Sequence, residues 1–134
     1  MSNACFYFDL ETTGLNPYYD EIIEIGILTE DGSDSLSILV DPKRELSDEI
    51  IRITGITNEL IETKGVPIQV AIQQLHAFVR KHSKPRQSVW FIGHNTNGFD
   101  EIFYKSTLLR HSIRNFRPTI KWLDTCALAK LALP

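Results

Sequence analysis

Apolar and polar positions along the first forty residues change at strand-length intervals. Ala4 to Glu11 reads as a first strand, apolar through Phe6-Tyr7-Phe8 and carrying Asp9 and Glu11 near its end. A loop with Gly14, Asn16 and Pro17 follows. Glu21 to Thr29 reads as a second strand, Asp31-Gly32 as a hairpin signal and Ser35 to Val40 as a third strand, so the three form an antiparallel meander that Pro42 ends.

From Ser47 the period becomes helical. Ser47 is the expected N-cap of a short helix with Ile50, Ile51 and Ile53 on one stripe, and Ile53 to Thr57 is a turn built around Gly55. Thr57 or Asn58 caps a second short helix through Ile61. Pro67 opens a longer helix to about His82, with Val70, Ala71, Gln74, Leu75, Phe78 and Val79 spaced for one buried face. Ser88 to Gly93 is nearly continuous in apolar character, as in a central strand covered on both faces. A helix is expected from about Phe99, a short strand over Ile120 to Leu123, an N-cap at Asp124-Thr125 and a last helix over Cys126 to Leu133.

The length of 134 residues and the 43% hydrophobic share fit one domain, residues 1–134. A net charge of −3 excludes a protein that grips polyanions by bulk positive charge. Any such contact must be local, and basic residues do gather between Arg80 and Lys121. Cys5 and Cys126 lack metal-ligand spacing and read as buried small hydrophobes. No leader pattern or membrane-length apolar run occurs, so an intracellular protein, cytoplasmic or nuclear, is expected.

The chemistry concentrates in three carboxylates. Side chains on a strand alternate faces, so Asp9 and Glu11 leave the first strand on the same side and repel each other. A bound Mg²⁺ or Mn²⁺ lets both stay ionised, and the three preceding aromatic residues place Asp9 at the buried centre of the sheet, where an unpaired charge is costly. The alternative is a solvated acidic strand end. Asp100 is expected in the first turn of a helix at the carboxyl end of the fourth strand, where α/β sheets place ligands. Complementing the helix dipole is its alternative role.

Four segments in register resemble the DnaQ-like, DEDD-type 3'-5' exonucleases of the ribonuclease H-like fold. Phe8-Asp9-Leu10-Glu11-Thr12-Thr13-Gly14-Leu15 is similar to the first motif and Ile53 to Thr57 to the segment that shapes the nucleotide pocket. His94-Asn95-Thr96-Asn97-Gly98-Phe99-Asp100 is similar to the second motif, with TREX-like spacing between Asn95 and Phe99, and Leu123-Asp124-Thr125 to the last strand-to-helix junction. The resemblance implies an α/β fold with a five-stranded mixed sheet in the order 3-2-1-4-5 and helices on both faces. It further implies a two-metal hydrolysis of phosphodiester bonds at the 3' end of DNA or RNA, with two Mg²⁺ or Mn²⁺ ions held by Asp9, Glu11 and Asp100.

Thr12, Gly14 and Leu15 are expected along the terminal nucleotide, and Ile56 as a wedge against its base or as a core residue. Asn95 is expected at the substrate or satisfying its own loop. His94 is expected to shape the pocket, and Asp124 to cap a helix in preference to serving as a fourth ligand. The family's third motif, a His and an Asp that supply the general base and fourth carboxylate, is absent from these residues, which implies a fragment completed by a further segment or a second chain. The expected partner is nucleic acid with a free 3' end, single strands favoured, and no membrane. A catalytically silent or split module that binds nucleic-acid ends or a protein partner is the alternative.

Overall fold

A computed structural model describes residues 3–94 and 98–125. Its strands are β1 (Ala4–Thr12), β2 (Ile22–Thr29), β3 (Ser35–Leu39), β4 (Val89–Gly93) and β5 (Lys121–Asp124). They form one sheet in the order β3-β2-β1-β4-β5, with β1 in the middle. The meander pairs are antiparallel, whereas β1 with β4 and β4 with β5 run parallel. This is the mixed ribonuclease H-like sheet expected from the motifs.

The helices are α1 (Asp48–Thr54), α2 (Asn58–Lys64), α3 (Ile68–Lys81) and α4 (Phe99–Arg110). Ile53 and Thr54 belong to α1, which Gly55 ends in the left-handed region at φ 75°, so the glycine turn starts later than the sequence predicts. Thr57 is the cap of α2, its hydroxyl accepting from the Leu60 N–H at 3.1 Å, while Asn58 Oδ1 accepts from the Leu46 N–H at 2.8 Å. On α3, Gln74 is exposed; Ile72 and His76 are buried with Ala71, Leu75, Phe78 and Val79. None of the described helices is long and apolar enough to cross a membrane.

Paired residues share a face, so Phe6, Phe8, Leu10, Ile25, Ile27 and Phe91 lie on one side of the sheet, where α3 and α4 cover them. The centre is aromatic: Phe8 stacks on Phe91 with centroids 4.6 Å apart, and Trp122 and Tyr104 meet Phe8 edge-on. A second cluster, Ile23, Leu46, Ile56 and Ile61 packed with Leu39, seats α1 and α2 at the β2–β3 end of the opposite side. Elsewhere on that side Trp90 and Ile92 are only half-buried, so among the described residues β4 is less covered on this face than the sequence predicts. Cys5, on the same side, is likewise half-buried. A continuous apolar run does not reveal which face finds a partner.

Two consequences for stability follow. Phe91 is fully buried in the ring cluster, and Phe91→Ala should lower unfolding free energy by about 3–5 kcal/mol, read from the urea midpoint. His76 is buried against Tyr104, its Nε2 2.8 Å from the phenol oxygen, and burial followed by the Arg80 charge lowers its pKa from 6.5 to about 4. The folded state therefore holds this ring neutral where the unfolded chain would protonate it. Stability is full above pH 6.5 and declines as pH falls toward 4, by about 2–3 kcal/mol, and His76→Phe should flatten that slope in urea titrations.

Candidate functional site

Alternation along β1 sends the carboxylates away from the aromatic core. Asp9 is exposed and Glu11 half-buried, on the side opposite Phe8 and Leu10. This corrects the expectation of a buried Asp9: its aromatic neighbours turn to the other face, which α3 and α4 cover. Antiparallel register sets Glu24 directly opposite Glu11 and Gly26 opposite Asp9. Burial raises the Glu11 pKa, and the charges of Asp9 and then Glu24 raise it further. Glu24 is an acid that sequence reading did not assign to the site, because only the pairing of β1 with β2 brings it there. Its Oε2 accepts from the Ser37 hydroxyl at 3.3 Å.

Asp9 also lines an open groove of about 630 Å³ with Tyr7, Gly26, Leu28, Ile92 and His94. Gly26 leaves its floor without a side chain under the carboxylate. Gly93 forms part of this groove and of a smaller cavity of about 120 Å³ that includes Asp100 and Asp124. Asp100 is buried in the first turn of α4. A Cβ at position 93 would stand 3.1 Å from Asp100 Oδ2 and 3.5 Å from the Phe8 carbonyl oxygen, so the absence of a side chain there admits the Asp100 carboxylate beside the strand that carries Asp9. Asp124 is the last residue of β5, paired with Gly93. The helix it was expected to cap lies outside the described residues.

The other candidates divide. Thr12 is buried and its hydroxyl donates to the Gly14 carbonyl at 2.6 Å; Leu15 projects into solvent at 84% exposure. Ile56 sits inside the second apolar cluster at 5% exposure, away from any open surface. Asn95 and Cys126 lie outside the described residues. The chain's four histidines are all engaged. His76 meets Tyr104, His82 meets Asp34 at 2.8 Å and His111 meets Glu21 at 2.9 Å. His94 alone shares the groove with Asp9, and its Nδ1 is 2.7 Å from Thr125 Oγ1, which donates to the Gly93 carbonyl.

Hard oxygen donors that repel one another suit a divalent cation, and the Glu11 carboxyl, raised first by burial and then by the charges of Asp9 and Glu24, is a group such an ion would hold ionised. The donor set therefore fits Mg²⁺ or Mn²⁺ in kind. As placed, no three His, Cys, Asp or Glu side chains among the described residues form a ready metal cluster.

Known proteins match along nearly the whole chain. The exonuclease family of RNase T type matches residues 6–134. DNA polymerase III PolC-type proteins of Thermotoga petrophila and Bacillus subtilis are 37% and 30% identical over 138 and 133 residues, covering 99% and 95% of this chain. The chain spans 9% and 8% of those relatives' length. Among solved structures, exonuclease I of Methylocaldum szegediense has a TM-score of 0.76 at 21% identity, over 97% of this chain and 29% of its own. The metal-free E. coli exonuclease I complex with single-stranded DNA has a TM-score of 0.78 at 16% identity, over 96% of this chain and 29% of its own. At these identities the structural likeness is one of fold. The profile match and the PolC-type relatives together establish that this chain belongs to the RNase T exonuclease family, within the DnaQ-like group.

Proposed function

We propose that the chain is the nuclease unit of a metal-dependent 3'-5' exonuclease, acting at free 3' ends of nucleic acid with single strands preferred. The observation that carries this reading is the Asp9–Glu11 pair beside an open groove, with the Glu11 carboxyl pushed up by burial and by its acidic neighbours. Membership of an exonuclease family supports it, as do PolC-type relatives that act on DNA by name. Asp9 and Glu11 would hold the ions from β1, and Asp100 would close the set from α4. Bound Mg²⁺ or Mn²⁺ would neutralise the phosphate and lower the pKa of water. Thr12, Gly14 and Leu15, which continue directly from Glu11, would lie along the terminal nucleotide.

The engagement of every histidine supports a second, narrower statement. Among the described residues the one histidine in the Asp9 groove, His94, has its Nδ1 2.7 Å from Thr125 Oγ1, and a free general base contributes about 10²- to 10⁴-fold to rate. The proposal is that these residues bind metal and nucleic-acid ends but turn over slowly unless a further segment or second chain supplies a His and an Asp. A silent end-binding module is the limit of that behaviour.

Calorimetric titration with Mn²⁺ should show that Asp9→Asn weakens binding at least tenfold; equal affinity in the two proteins would remove the metal assignment. An end-labelled single-stranded oligonucleotide with Mn²⁺ should lose nucleotides stepwise from its 3' end, about 10²- to 10⁴-fold more slowly than with a chain carrying the additional His and Asp. Asp9→Ala should abolish the reaction. Cleavage at internal positions, or digestion that persists in EDTA, contradicts the exonuclease reading.

A further inference from the structure

The chain that leaves Glu11 and Thr12 is a tightly determined loop. The Asp20 carboxylate accepts from Thr13 Oγ1 and from the Asn16 N–H, each at 3.0 Å. Gly14 lies against that carboxylate so closely that a Cβ there would be 2.4 Å from Oδ2. Asn16 Oδ1 accepts from the Tyr18 N–H at 2.9 Å, and the Asn16 carbonyl accepts from the N–H groups of Tyr19 and Asp20. Helix α4 holds the loop from behind: the Ser106 hydroxyl donates to the Pro17 carbonyl, and Arg110 Nη2 to the Asp20 carbonyl at 2.7 Å.

This fixed scaffold holds large rings in solvent. Tyr18 is 83% exposed and Tyr19 65%. The Arg44 guanidinium lies 4.6 Å from the Tyr19 ring centroid, with Glu21 Oε1 3.7 Å from its Nη2. A hydrogen-bonded loop loses little entropy on binding, so exposed rings on it are ready to take contacts. Aromatic faces accompanied by a cation, on the loop that leaves the strand carrying Asp9 and Glu11, match what a flexible strand of stacked bases and phosphates offers.

We infer that the Thr13–Asp20 loop is a preformed stacking platform for single-stranded nucleic acid, with bases upstream of the terminal nucleotide resting on Tyr18 and Tyr19 and a backbone phosphate near Arg44. The inference rests on the exonuclease reading and extends it from the terminal nucleotide to the strand behind it. Asp20 acts as a positioning residue, since it shapes the loop and leaves the strand to the two rings.

The test is fluorescence anisotropy with labelled oligothymidylates in EDTA, which prevents hydrolysis, using probes of two and about twelve nucleotides. Tyr18→Ala with Tyr19→Ala should weaken binding of the longer probe about five- to hundredfold and leave the dinucleotide unchanged. Tyr18→Phe with Tyr19→Phe should restore it, because a phenyl ring still stacks. Asp20→Ala, with both rings present, should weaken the longer probe in the same sense, and thermal melts by circular dichroism report whether each variant is folded. Undiminished binding by the folded double alanine variant overturns the platform and leaves the exonuclease reading standing. Failure of the unsubstituted chain both to bind either probe and to degrade oligonucleotides in Mn²⁺ overturns the two together. Loss of the dinucleotide along with the longer probe overturns the upstream placement and assigns the rings to the terminal site.

Discussion

The position of β1 between an antiparallel and a parallel neighbour constrains everything around it. Its hydrogen-bonding edges are committed to β2 from Phe6 to Thr12 and to β4 from Ala4 to Tyr7, so it has no freedom to slip. A slip of one residue would turn Phe6, Phe8 and Leu10 out of the core and drive Asp9 and Glu11 in, exchanging buried rings for buried charges. The ring cluster of Phe8, Phe91, Tyr104 and Trp122 thus fixes where the carboxylates point.

That arrangement lets a stable core support an electrostatically strained face. Asp9, Glu11 and Glu24 share one side of the sheet, and the raised Glu11 pKa records both its burial and their repulsion. The opposite side supplies the compensating hydrophobic stabilisation through α3 and α4. Gly93 links the two carboxylate-bearing elements of the candidate site, since its missing side chain is where Asp100 of α4 approaches the β1 backbone at Phe8. Fold stability and site geometry are therefore coupled through the same two strands.

Helix α4 has a second role at its other end. Arg110 donates to Glu21 at 3.1 Å and His111 lies 2.9 Å from it, so a buried carboxylate at the start of β2 is paired with two groups from the end of α4. The loop between β1 and β2 is thereby braced by the helix whose first turn carries Asp100. Asp100 and the Tyr18–Tyr19 rings are referred to one rigid element, because Ser106 and Arg110, which brace the loop, stand on the same helix as Asp100.

Much of this was legible in local pattern. The five strands, the long α3, the Asp31-Gly32 hairpin and the shared face of Asp9 and Glu11 follow from period-two and period-3.6 spacing, because each depends on neighbours within a few residues. The repulsion between Asp9 and Glu11 was also visible, since two carboxylates one strand repeat apart need no tertiary information to repel each other. What local pattern misplaced was burial. Asp9 was expected inside and Ile72 and His76 went unassigned, because sequence shows alternation but not which face a distant helix will cover. Glu24 opposite Glu11, Gly93 beneath Asp100 and Arg110 behind Asp20 arise from strand register and helix docking between residues far apart in the chain. The sequence by itself determined the elements and their acidic chemistry, which are short-range properties; the tertiary structure alone decided the open face and the bracing of the loop, because both depend on contacts that form only when the sheet closes around β1.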